Sequence, residues 1–376
     1  MTGRGIDQCL AFQCDPTLYE GYVKDARDYV RLAERRTGRF SIPVGFEEPW
    51  GDALKAIAKR RPAKVIVNLE TSITTSAEPA IGKGIHYKMH PRNVKVLESF
   101  GDIAILANNH VLDWGLPGLE ETLKTLDAHN IPHAGAGLNT DSAQEPVALD
   151  VNRQQKVWVA AYGHWSSGVP ESWGATSKRP GVARLPDDLN RAFAKTVGAA
   201  LKKRKGGGDL AVISIHWGPN WGYDVTPAER AFAQALIDAG VDIVLGHSSH
   251  HPRPFEIYKG KLILYGCGDF LNDYEGISGQ HDDFRGDLAL AYFPTLKHDG
   301  TLHHLEMVPF QIRHFRLNDA SEHDARWLKD TLNRAGKKHI GTLPSITLTK
   351  DNTLLLSPNE PQSSSFGAAQ EDDALL

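Results

Sequence analysis

Short apolar runs recur along the chain and most of them stop abruptly at a polar residue or a glycine. The runs at 64–67, 103–107, 210–215, 241–245 and 261–265 each read as a buried strand, because a brief continuous apolar stretch bounded by turn signals suits a strand covered on both faces. Between them the spacing of apolar positions changes to that of helices, over 52–60, 93–100, 118–129, 188–205 and 227–240. Residues 19–39 carry mixed charges and the same helical look. Residues 146–150 and 156–162 predict two strands joined by a polar turn, 288–293 and 302–315 an antiparallel pair, and 319–335 a last helix. Strands and helices alternating in this way predict an α/β fold. Residues 1–7 read as a loop with no apolar strand before them. From Ser357 onward the chain has little to bury, and the tail is expected to be disordered.

What stands directly after the strand-like runs changes the picture. Glu70 follows 64–67, Asn109 and His110 follow 103–107, and His216 follows 210–215. Gly246 closes the run at 241–245, and His247, His250 and His251 come next. Neutral imidazole is the commonest metal ligand, and sites in open α/β sheets lie beyond the carboxyl ends of strands. One polar residue there is an ordinary turn or cap. Candidate donors after four strands predict a metal centre of Glu70, Asn109, His216, His247 and His250. The mixed nitrogen and oxygen set suits a divalent transition ion, Mn, Fe or Zn, and not Ca. One or two ions are expected; a pair sharing Glu70 would activate a water and hold both ends of a phosphoryl or similar transfer. Asp113, three residues past His110, is spaced to orient that ring.

Two loops complete the candidate chemistry. Residues 82–91 open on glycine and carry Lys88 and His90, groups that bind anions. Residues 163–170 carry Ser166 and Ser167 on irregular backbone with room for a ligand. With Arg4 these four are the candidate substrate contacts. A serine hydrolase is disfavoured, since neither serine lies in a Gly-x-Ser-x-Gly elbow.

Composition narrows the setting. At 376 residues the chain is long enough for one large or two ordinary domains, and its net charge of −4 gives no case for nucleic acid. Three scattered cysteines fit neither a disulfide framework nor a zinc knuckle, so a reducing, cytoplasmic setting is expected. No stretch has the length of a membrane-spanning helix, so no spanning segment and no signal peptide are expected.

The residues also carry a resemblance. Asn68-Leu69-Glu70, Asn108-Asn109-His110 with Asp113 and Gly115, His216-Trp217-Gly218 and Gly246-His247-x-x-His250-x-Pro252 resemble, in order, the motifs of the capsule-synthesis CapA family. The loop at 166–170, Trp173 and Gly266-x-Gly268-Asp269-Phe270 fit as well. That family is similar to the calcineurin-like metallophosphatases. The resemblance implies a four-layer α/β/β/α sandwich with the CapA-type domain over 1–320, a C-terminal helix and strand packed on it over 321–356, and the tail over 357–376. It implies that Asn109, His216 and His247 hold one ion and His250 the other, with Glu70 bridging and His110 as general acid oriented by Asp113. The function implied is metal-dependent hydrolysis linked to poly-γ-glutamate or cell-wall polymer synthesis. The substrate would be a polymer or a phosphorylated or amide small molecule, within a polymer-synthesis complex. A non-catalytic accessory protein with an incomplete centre is the alternative. In one respect the chain departs from the family, which begins with a strand ending in Gly-Asp before a loop resembling Met1–Gly5. The expectation is that this first strand is missing because the start was placed at an internal methionine, since losing a central strand would expose its neighbours' backbone groups.

Overall fold

Parallel strands need a long crossover, and helices supply it here. The computed structural model describes residues 1–277, 279, 281–341 and 344–358, and over these the fold is mixed α/β with several sheets. Helices α1 (Arg27–Thr37) and α2 (Asp52–Arg60) come first. A sheet of three parallel strands follows, in the order β1 (Ile66–Asn68), β2 (Ile103–Ile105), β3 (His133–Ala134), with α3 (Gly115–Ala128) crossing from β2 to β3.

The second sheet has six strands. Its members are β4 (Val147–Asp150), β5 (Lys156–Gly163), β6 (Leu210–His216), β7 (Ile243–His247), β8 (Phe255–Tyr258) and β9 (Lys261–Leu264). They lie in the order β8–β9–β7–β6–β5–β4. The four inner strands are parallel and the two edges antiparallel. The crossovers are α4 (Arg191–Arg204) and α5 (Pro227–Asp238), and both start where the sequence supplies caps. Asn190 accepts from Phe193 N, and Thr226 forms a capping box with Glu229 ahead of Pro227. Along β6 the side chains alternate: Ala211, Ile213 and Ile215 pack with Leu201, Phe232 and Leu236 of the helices, while Val212 joins the core on the other face.

The third sheet is antiparallel. Strands β10 (Leu288–Leu296), β11 (Leu302–Arg313) and β12 (Arg316–Asp319) precede α6 (Glu322–His339), and β13 (Thr347–Leu348) and β14 (Leu354–Leu356) follow it. The order is β10–β11–β14–β13, with β12 also on β11. Leu328 and Leu332 of α6 pack on Leu305, Met307 and Leu354. The tail expected from Ser357 lies, beyond Pro358, outside the described residues.

Two expected helices are shorter than their patterns. Over 19–39 only Arg27–Thr37 is helical, because Glu20 is drawn inward to Arg4 (2.8 Å) and to the Tyr29 hydroxyl, and a bridge between Thr17 and Asp25 closes that loop. Over 93–100 only Lys95–Glu98 is helical, after a 3-10 turn at Pro91–Asn93 capped by His90. The opening stretch is irregular, as its pattern predicts, but Thr2 to Leu10 is buried throughout. Arg4 anchors it, bonded to Asp273 at 2.6 and 2.8 Å and lying over the Tyr29 ring at 3.7 Å. A cavity of about 890 Å³ runs from Lys59 and Asp351 at the surface inward to Glu70, His247 and Asp269.

Candidate metal and acid–base site

Strand register builds the centre of the site. β6 and β7 are parallel neighbours with His216 opposite His247, and both strands end there, so the two imidazoles emerge side by side. Their Nδ1 atoms are 2.7 Å apart. Ser214 Oγ sits 2.9 Å from His247 Nε2, and Asn109 Oδ1 sits 3.1 Å from His216 Nε2. Asn109 has Gly168 beneath it, at φ +83, where an added Cβ would stand 3.3 Å from its amide nitrogen.

The smaller parallel sheet brings the carboxylate. Asn108 Nδ2 donates to Asn68 Oδ1 (3.1 Å) and to Leu69 O (2.9 Å), and its Oδ1 accepts from His110 N (3.0 Å). Asn68 Nδ2 in turn donates to Glu70 Oε2 at 2.8 Å. This ties the ends of β1 and β2 together and leaves Glu70 Oε1 3.9 Å from Nε2 of both His110 and His216.

His110 Nδ1 is 2.7 Å from Asp113 Oδ2, which also accepts from Tyr87 N at 2.6 Å. The Lys83 ammonium contacts the Asp113 carboxylate and Asn109 O, lies 3.2 Å from His110 Nδ1, and rests over the Trp173 ring. On the other side His250 Nδ1 meets both oxygens of Asp269, at 3.1 and 3.2 Å, and Asn272 donates to that carboxylate.

Burial sets the protonation of this group. It pushes His110 down to about 4 against the opposing pull of Asp113, pushes His247 down to about 3, and holds His216 well below its ordinary value. Burial also raises Glu70 to about 7. It would lower His250 too, but Asp269 beside that ring raises it above the ordinary histidine value. The buried Asp113 and Asp269 stay below the usual carboxylate range although burial opposes this, because His110 and His250 face them.

Among the described residues no three His, Cys, Asp or Glu side chains already form a metal cage, and His216 and His247 bond to each other instead. The donors that converge from both sheets are the Glu70 carboxylate, the Asn109 amide oxygen and the two imidazoles. In kind they fit a borderline divalent ion.

The other sequence candidates lie elsewhere. Arg4 is buried in its ion pairs. Lys88 points away from His110, with its ammonium 3.7 Å over the Trp114 ring, beside a second pocket that His90 also lines. Ser167 donates to His216 O at 2.7 Å, and Ser166 accepts from Gly218 N at 2.9 Å, so both brace the loop behind His216. Sequence reasoning gave no role to Lys83, Asn68, Asn108 or Asp269. Asp269 was within reach of the rule that found the histidines, since it follows β9 by five residues; Lys83 carried no such signal.

The family model for the bacterial capsule synthesis protein PGA_cap matches residues 1–274. The chain is similar to a protein of Mycobacterium tuberculosis described as a probable polyglutamine synthesis accessory protein, 45% identical over 340 residues, covering 90% of this chain and 89% of that protein. It is also similar to the capsule biosynthesis protein CapA of Bacillus anthracis, 33% identical over 192 residues, 51% of this chain and 45% of that one. A solved structure, TT1561 of Thermus thermophilus, aligns with a TM-score of 0.30 at 13% identity, over 48% of this chain and 68% of that one.

Proposed function

The chain belongs to the bacterial capsule synthesis protein PGA_cap family, and from that premise we propose that it is a metal-dependent hydrolase of metallophosphoesterase type serving poly-γ-glutamate or cell-wall polymer synthesis. The observation that carries the reading is the buried His110–Asp113 pair facing Glu70 and His216. A binding module has no need of a desolvated, oriented imidazole. An ionised Asp113 can only accept, so neutral His110 carries its proton on Nδ1 and turns Nε2 toward Glu70. Nε2 is then bare and accepts a proton from a reacting group, which it can afterwards return to the leaving group, and Lys83 and Tyr87 N hold Asp113 in place for it.

Glu70, Asn109, His216 and His247 would hold one divalent ion, Mn, Fe or Zn, and His250 a second, with Glu70 shared. When bound, such ions supply Lewis-acid polarisation of the scissile group and of an attacking water. The reading extends to the architecture, a four-layer α/β/β/α sandwich. In its support, α4 and α5 cover one face of the six-stranded sheet and α6 packs on the antiparallel one. It extends to a polymer, or a phosphorylated or amide small molecule, as substrate, and to a place in a cytoplasmic polymer-synthesis complex. Among the described residues no helix is long and apolar enough to cross a membrane.

The name of the M. tuberculosis relative, a probable polyglutamine synthesis accessory protein, favours a second reading, an accessory protein without turnover. Elemental analysis of the purified protein, with hydrolysis assays on poly-γ-glutamate and p-nitrophenyl phosphate, separates the two. Bound transition metal that is lost in His216→Ala, together with turnover lost in His110→Ala, supports the hydrolase. A metal-free protein whose His110→Ala variant still sustains polymer production in cells supports the accessory.

A further inference from the structure

A buried cation is costly unless an anion meets it. Three basic side chains are buried among the described residues: Arg4, Lys88 and Arg253. Arg4 pairs with Glu20 and Asp273, and Arg253 with Glu229. Lys88 is 8% exposed, yet no carboxylate of the described residues pairs with it. Its ammonium donates to Ser76 O at 3.3 Å and lies 3.7 Å over the Trp114 ring. An ammonium has three donors, so this leaves it short of acceptors. Burial accordingly lowers Lys88 below the ordinary lysine value, with Cys14, Asp15 and Asp7 opposing the fall only in part.

The backbone on either side of this ammonium is fixed. Lys88 O accepts from Arg4 N, Met89 O accepts from Thr74 N, and His90 N donates to Asp7 at 2.8 Å. Lys88 borders a pocket of about 320 Å³, at the small end of ligand sites, and none of the candidate metal ligands lines it. His90 borders the same space. Its Nδ1 accepts from Arg92 N at 3.1 Å, so the ring proton sits on Nε2 as a second donor. Asp15 also lines the pocket, exposed to solvent and kept ionised by its hydrogen bonds from Thr17. Lys88 and Asp15 feel each other's charge but do not form an ion pair.

We propose that this pocket binds a free amino acid, with its carboxylate on Lys88 and His90, its ammonium on Asp15, and Trp114 and Tyr19 beside it. Two opposite charges held apart across one small space suit a zwitterion. A phosphate would meet Asp15 as a like charge, and a simple amine would meet Lys88 as one. The inference does not depend on the hydrolase reading.

The test takes the twenty free amino acids, each titrated into the whole protein by calorimetry, with amide hydrogen exchange to locate the binder. At least one should bind and slow exchange over residues 13–19 and 75–77. Its N-acetyl derivative keeps the carboxylate but loses the ammonium, and should bind about tenfold or more weakly. Asp15→Asn should remove that difference between the two forms. Lys88→Met keeps an apolar stem over Trp114, and should weaken the free amino acid about tenfold or more. Should Lys88→Met fail to fold, Asp15→Asn decides alone, because Asp15 lies at the surface. The proposal is overturned if no amino acid slows exchange in those segments, if Lys88→Met binds like the native protein, or if the N-acetyl form binds as well as the free one.

Discussion

At the scale of single residues, His110 is where chemistry and packing separate most cleanly. It makes its side-chain contacts through Nδ1 and keeps Nε2 toward Glu70. If the proposed role holds, His110→Ala should lose about 10²–10⁴-fold in turnover on whichever assayed substrate is cleaved, and elemental analysis should show its metal content unchanged. Full activity would end that assignment. The Asp113 partner was legible in the sequence because three residues on a tight turn bring two side chains together. Lys83 was not, because its contacts with Asp113 join positions 30 apart and nothing local in residues 78–87 says where that loop folds back.

At the scale of elements, the site depends on how closely β7 lies against β9. Gly246 sits there with no room for a side chain: an added Cβ would meet Tyr265 O at 2.4 Å and Leu264 O at 2.7 Å, both backbone atoms that a rotamer change does not move. Gly246→Ala should cost about 1–3 kcal/mol, read from urea unfolding, and should push His247 out of line with His216. An unaltered midpoint would show that β9 yields freely. Most elements were readable from apolar runs, and the strand ends that carry donors were found by that rule alone. The 19–39 helix was over-read because a buried charge decided its start: Glu20 answers Arg4, and periodicity contains no record of a partner so near in space. The division of the strands into separate sheets, and the edges they leave, were likewise invisible, because a run of apolar residues predicts a strand without naming its neighbours.

At the scale of the whole molecule, stability should fall in acid. Burial holds His110, His247 and His251 neutral, at about 4, 3 and 4. Unfolded histidines take up protons below about 6.5, so between pH 6.5 and 4.5 the unfolded chain binds more of them, by about 1.4 kcal/mol per pH unit for each ring. Glu70, raised to about 7, and His250 act in the opposite sense, but the lowered histidines outnumber them. Calorimetry in chelator should therefore show the melting temperature dropping across that window; a flat or rising profile would mean that these rings are hydrated.

The ion pair between Arg4 and Asp273 closes 269 residues of sequence, and its consequence lies in time. Loop-closure entropy grows only logarithmically with length, about 0.6 kcal/mol per doubling, so a contact that distant costs little more than a near one. It is nevertheless among the last that a searching chain meets. Until Asp273 arrives, the segment 2–10 has only Glu20 to balance Arg4 and lacks the carboxylate that binds both the Arg4 guanidinium and Gly5 N. Refolding should accordingly show a slow final phase in which that segment gains protection from exchange. Arg4→Met should abolish this phase and, by stranding Asp273 and Glu20, cost about 3–5 kcal/mol at equilibrium. A variant with the native refolding trace would place the docking of the segment early instead.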